Sequence, residues 1–157
     1  MRAGNTGRPV PVPDELSAPY WAAAARHVLA LPSCSRCGSL SLPPGQVCPN
    51  CGSTDPEYAY QEVSGQGTVR SWTVVRQSFL PGFDADLPFM LVDVELTVPG
   101  GSAQPEVRLI GRLLDGPDAP VRPGAPVTVA FEDIRTDTER VSLPAFTLTV
   151  SPERGNQ

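Results

Sequence analysis

The chain has 157 residues, a formal charge of -5 at pH 7 and a pI near 4.8, and arginine supplies all of its 12 Lys/Arg positions. Such an acidic, lysine-free surface lacks the broad positive field on which nucleic-acid binding draws, and no run of 18 apolar residues exists to span a bilayer. Forty per cent hydrophobic residues exclude a wholly disordered chain, while 19 prolines and 14 glycines between short valine-rich runs point to a small β domain.

Residues 1–17 are rich in Pro, Gly and polar groups and are expected to form a flexible arm. They contain no apolar core of the signal-peptide type, which places the expected chain in the cytoplasm. Residues 18–31, "APYWAAAARHVLAL", predict a helix. Ser17 can cap its start, Pro19 fits the first turn, and Pro32 ends it. This helix has almost no polar face, since only Arg26 and His27 interrupt it. One side carries Trp21, Ala25 and Val28; the other carries Tyr20, Ala24 and Leu31. Either both sides pack within the chain, or one receives a second subunit, which makes Tyr20 and Trp21 candidate partner contacts.

Residues 32–60 hold the four cysteines, in two Cys-x-x-Cys pairs ten residues apart: Cys34 with Cys37, and Cys48 with Cys51. A reducing compartment argues against disulfides. Each pair is followed by a glycine, Gly38 or Gly52, which allows the tight turn that aims amides at thiolates. Two such knuckles predict a tetrahedral four-sulfur site that suits zinc, with iron in a rubredoxin-like geometry as the alternative. Four protein ligands leave no open position, so the expected ion is structural.

From residue 61 to 157 the pattern turns to strands. "GTVRSWTVVRQSF", "PFMLVDVELTV", "VRLIGRLL", "APVTVAFEDI" and "LPAFTLTV" are each bounded by Gly, Pro or Asp. Five strands in this span fit an OB-type barrel, with a five-stranded sandwich as the competing arrangement. The first strand alternates so that Arg70, Trp72, Val74 and Arg76 share one face. Arg70, Trp72 and Arg76 are therefore candidate ligand-binding residues, by base or phosphate contacts; the bland alternative is the outer coat of the barrel. The loop "QSFLPGFDADLP" is too apolar for ordinary solvation. It makes Phe79, Leu80 and Phe83 candidates for a protein or acyl-chain contact, unless the loop folds under the barrel.

No catalytic constellation stands out. His27, the single histidine, has no Ser or Cys partner nearby in sequence, and packing or a partner contact explains it better than acid–base work. Asp84, Asp86, Asp93, Glu95, Glu132 and Asp133 show no motif spacing and are expected on solvated faces or strand ends. There is no P-loop and no glycine-rich dinucleotide motif.

The run "CSRCGSLSLPPGQVCPNCGS", followed by "EVSGQGTVRSWTVV", "LPFMLVDVEL", "VRLIGRLL" and "VRPGAPVTVAFEDI", resembles the zinc-ribbon/OB-fold proteins associated with acyl-CoA metabolism. The likeness covers roughly residues 18–134, and Ser64-Gly65-x-Gly67 with the later strands carries its specificity. It departs from the family at Tyr58 and Tyr60, where a tryptophan is common, and in the longer turn "PGGSAQPE". The resemblance implies a mainly β protein: an N-terminal helix, a rubredoxin-like zinc ribbon held by Cys34, Cys37, Cys48 and Cys51, and a C-terminal five-stranded OB-type barrel. Members bind acyl-CoA or accompany thiolase-like enzymes, among them an aldolase of steroid side-chain breakdown. It therefore implies no catalytic residue here. The expected role is an accessory subunit in a hetero-oligomer with a thiolase-like partner, within a CoA-dependent lyase (aldolase) or thiolase complex, helping to enclose an acyl-CoA thioester. The alternative is a module binding single-stranded nucleic acid.

Overall fold

The computed structural model describes residues 7–150, so residues 1–6 of the expected arm and residues 151–157 lie outside the described residues. Among the described residues one α-helix, α1 (Ala18–Ala25), precedes seven strands, and short 3-10 turns lie at Asp84–Asp86 and Gly101–Ala103. These are β1 (Ala30–Ser33), β2 (Ala59–Glu62), β3 (Gln66–Val75), β4 (Phe89–Leu96), β5 (Arg108–Leu113), β6 (Pro126–Arg135) and β7 (Arg140–Leu148). The last five close into a barrel in the order β3-β4-β5-β7-β6. Pairing is antiparallel except for β5 with β7, which run parallel. Closure excludes the sandwich and gives the OB arrangement. β1 and β2 form an antiparallel pair, Ala30 opposite Glu62 to Ser33 opposite Ala59, from which the cysteine segment hangs.

The barrel core follows from period-two patterning. In β4, Met90, Val92, Val94 and Leu96 are buried while Phe89, Leu91, Asp93 and Glu95 face outward. Val69, Leu113, Val127 and Phe146 complete the interior. Gly67 is required at the β3–β4 crossing, because a Cβ there would lie 2.5 Å from the Glu95 carbonyl oxygen. Gly65 has φ +75°, and a Cβ on it would collide with the Val129 side chain.

Three local expectations are corrected. The helix ends at Ala25, not at residue 31, because residues 26–28 form a Schellman-type cap. The His27 amide donates to the Ala24 carbonyl (2.8 Å), the Val28 amide to that of Ala23 (3.0 Å), and His27 takes the left-handed position at φ +57°. Leu31 consequently lies in β1 and is buried. Ser17 makes no capping bond with its own side chain. Instead Asp14 Oδ1 accepts from the Ser17 amide (2.7 Å) and hydroxyl (2.6 Å), so the acid three residues upstream braces the entry turn. Third, β3 does not alternate evenly. A bulge between Val69 and Ser71 shifts its register, placing Arg70 beside Glu95 on the outside and Trp72 opposite the inward-facing Val92.

Ribbon, helix and barrel are tied together. Tyr20, Ala23 and Ala24 are buried where α1 packs on β1 and β7, and burial pushes the Tyr20 phenol up to about 12. His27 Nε2 meets Asp133 Oδ1 at 2.9 Å, and its ring stacks on Phe131 at 5.1 Å. The Ser142 hydroxyl donates to the same Asp133 oxygen at 2.6 Å, and Arg140 reaches the other at 2.6 Å. These partners, Ser142 first and His27 next, hold the Asp133 carboxyl at about 2, below its ordinary 3.8. A depressed folded-state value contributes stability above the unfolded value, which is lost as pH falls through the folded one. Stability is therefore expected to drop as pH goes from about 4 to about 2. Asp133→Asn is expected to flatten that interval in urea-midpoint measurements; parallel profiles for the two proteins would refute the assignment.

Candidate metal centre and docking surface

The four cysteines fold as two copies of one hydrogen-bonded pattern. Gly38 N–H donates to Cys34 O (2.7 Å) and Gly52 N–H to Cys48 O (2.9 Å). Cys34 N–H donates to Ser39 O and Cys48 N–H to Ser53 O, both at 2.9 Å. Gly38 and Gly52 adopt φ +74° and +73°, the left-handed turn that the sequence implied. The four sulfurs lie within 4.8 Å of one another, with Cys34–Cys51 at 3.9 Å and Cys37–Cys48 at 3.8 Å. A tetrahedral ion with metal–sulfur bonds of ~2.3 Å needs sulfurs ~3.8 Å apart. The donor set therefore fits a closed tetrathiolate centre.

Nearby donors favour the thiolate form of Cys37. The Ser39 hydroxyl sits 3.0 Å from Cys37 Sγ, and Asn50 Nδ2 donates to the same sulfur at 3.6 Å. Led by the Ser39 hydroxyl, these contacts hold the Cys37 thiol at about 6. The Arg36 amide donates to Cys34 Sγ at 3.4 Å. Gln104 clamps the first knuckle from the barrel: its Oε1 accepts from Leu40 N–H (3.1 Å) and its Nε2 donates to Gly38 O (3.3 Å). Gln104 sits in the long turn "PGGSAQPE", which sequence reasoning noted without assigning any residue a role.

A cavity of about 840 Å³ opens between α1, the ribbon segment 42–44 and the outer face of β3–β5. It brings together Tyr20, Trp21, Leu80 and Phe83, four of the five expected partner-contact residues. Phe79 lies outside it and is 92% exposed. The floor comes from cross-strand outward pairs, Val75 with Phe89 and Leu91 with Arg112. Ile110, 66% exposed, and Leu80, 58% exposed, extend the apolar surface to the rim. Leu91 and Ile110 escaped sequence reasoning, although their outward phase on β4 and β5 was available from alternation.

Arg70, Trp72 and Arg76 line no part of this cavity. Arg70 is ion-paired with Glu95, and Trp72 remains 41% exposed on the opposite side of the bulged strand. The shared face expected for Arg70 and Trp72 is thus divided. The acidic residues expected on solvated faces are mostly paired: Asp93 with Arg108, Asp133 with Arg140, and both Asp86 and Glu132 with Arg8 and Arg112.

A four-cysteine cluster of tetrathiolate geometry, joined to a closed five-stranded barrel, defines a zinc-ribbon/OB-type protein. The ChsH2 rubredoxin-like zinc ribbon domain matches residues 21–57, and the ChsH2 C-terminal OB-fold domain matches residues 60–132. Together they span more than two thirds of the chain, which belongs to this ChsH2 zinc-ribbon/OB-fold family, also termed DUF35.

Among its relatives is the "Probable enoyl-CoA hydratase alpha subunit" of Thermomonospora curvata, 31% identical over 93% of this chain. The chain spans 41% of that relative's length. A "DUF35 domain-containing scaffold protein" of Methanocaldococcus jannaschii is 26% identical, over 71% of this chain and 73% of its own. The solved structure titled "Ltp2-ChsH2(DUF35) aldolase" includes a chain that superposes with a TM-score of 0.71 at 29% identity, covering 90% of this chain and all of that one. A DUF35 protein of Sulfolobus solfataricus, 14% identical with a TM-score of 0.52 and 86% coverage of each chain, shares the fold.

Proposed function

We propose that this chain is a non-catalytic accessory subunit of a thiolase-like acyl-CoA enzyme, bracing its partner and helping to enclose the CoA thioester. The ion in the ribbon is zinc, held by Cys34, Cys37, Cys48 and Cys51 as a structural element. The observation that carries this reading is the convergence of Tyr20, Trp21, Leu80 and Phe83 on one apolar cavity. Grouped apolar side chains of this kind mark a contact surface. The likeness to the chain of the aldolase structure supports a partner that makes or breaks carbon–carbon bonds; steroid side-chain cleavage, within lipid degradation, is the specific context of this proposal. Phe79 belongs to the same contact surface, beyond the cavity rim. Arg70 and Trp72, on divided faces of β3, and Arg76 beyond its end are kept as candidate contacts for the nucleotide end of CoA.

No helix among the described residues is long and apolar enough to cross a membrane, and reduced cysteine ligands fit a cytoplasmic setting. The single-stranded nucleic-acid alternative loses ground, because Arg8, Arg36, Arg70, Arg108, Arg112 and Arg140 are each paired with carboxylates. The name of the Thermomonospora relative favours a second reading, in which the partner is an enoyl-CoA hydratase.

Co-expression with candidate thiolase-like and hydratase proteins tests both. A stable co-purifying complex is expected, in which cleavage or hydration activity requires this chain. A partner that is stable and fully active alone, with no complex, would remove the proposal.

A further inference from the structure

Two arginines and two carboxylates from four separate segments meet at one end of the apolar cavity. Arg8 Nη1 lies 2.9 Å from Glu132 Oε1 and 3.5 Å from Asp86 Oδ2. Arg112 Nη1 lies 3.3 Å and 3.2 Å from the same two oxygens. Both guanidinium groups also sit on aromatic rings: Arg8 is 4.5 Å from the Phe83 centroid and Arg112 5.0 Å from that of Phe89. The Arg8 side chain is only 11% exposed. Among the described residues of the cluster, two positive charges balance two negative ones when Arg8 is in place. Without it, Asp86 and Glu132 would share Arg112 alone, and like charges held close repel.

Asp86 and Phe83 belong to the loop between β3 and β4 that also carries Phe79 and Leu80. Arg8 grips both: Asp86 by an ion pair and Phe83 by stacking. Its other anchor, Glu132, is on the rigid β6. We propose that Arg8 is a positioning residue, and that residues 8–17 are a strap fixing the β3–β4 loop as a docking surface. This rests on the reading of that loop as a partner contact. A planar fork that both pairs and stacks is a property of guanidinium that ammonium does not share.

The test uses hydrogen exchange on the full-length, metal-loaded chain, together with affinity for the co-purified partner. Arg8→Gln is expected to speed exchange of amides 79–86 roughly tenfold and to weaken the partner to a similar degree, as for loss of a charge-assisted contact. Amides of the β6–β7 hairpin are expected to keep wild-type rates. Arg112→Gln and the double variant complete a cycle, and the double variant is expected to exceed the summed effects, because it alone leaves both shared carboxylates without either arginine. Unchanged exchange in Arg8→Gln, strict additivity, or faster exchange with wild-type affinity would each overturn the proposal. Phe79→Asp judges the docking reading separately: wild-type affinity there would defeat that reading, while the exchange data still decide whether Arg8 sets the loop.

Discussion

Replacing Cys34 or Cys48 with serine is expected to unfold the ribbon and release its ion. Both residues are buried, and each starts one of the two hydrogen-bonded knuckles. Besides the short β1–β2 pair, the segment from Cys34 to Cys51 buries little that is apolar; Leu40 is the main contribution. Its order must therefore come largely from metal coordination. Structural zinc contributes apparent binding energies of ~10–16 kcal/mol in small modules, comparable with the ~5–15 kcal/mol that stabilises an ordinary domain. Metal analysis is expected to show one zinc per wild-type chain and little in Cys34→Ser. Exchange protection of residues 29–62 is expected to vanish with the metal. A ribbon that stays fully protected after chelation would disprove the structural role.

The second large effect is expected at the docking surface. Leu80→Asp and Phe79→Asp place a charge where the partner is proposed to exclude water. Central apolar contacts of this kind cost ~2–4 kcal/mol on truncation, so partner affinity is expected to fall ~30-fold or more. The isolated chain should keep its melting temperature, because both side chains are largely exposed. Calorimetric titration of partner into each variant, with melting curves alongside, measures the two quantities. A drop in melting temperature with affinity intact would mean that the loop serves the fold instead of the partner.

Much of this architecture was legible in the residues themselves. Cys-x-x-Cys-Gly repeated at a fitting distance specifies its own geometry, because coordination and a left-handed glycine leave few alternatives. The barrel strands were legible because each apolar run is punctuated by Gly, Pro or Asp. The helix end was hidden, since its left-handed cap position holds histidine where glycine is usual. That residue tolerates the position through Asp133 and Phe131, both more than a hundred positions away. The bulge at Arg70 was hidden for a similar reason. Nothing in "TVRSWTVV" marks an extra residue, and it emerges only in pairing with β4. The Arg8–Asp86–Arg112–Glu132 cluster lay beyond any local pattern, because its members meet only when the barrel closes.

The contacts of His27, Gln104 and Arg8 bear on how this molecule can be dissected. Each spans the seam between the part before residue 61 and the part after it. A barrel excised at that seam would leave Phe131 without its stacked imidazole, Glu132 short of one cation, and the β7 surface stripped of its helix. The two halves are thus better regarded as one soldered unit than as beads on a string, and fragments of either would be poor surrogates for the whole.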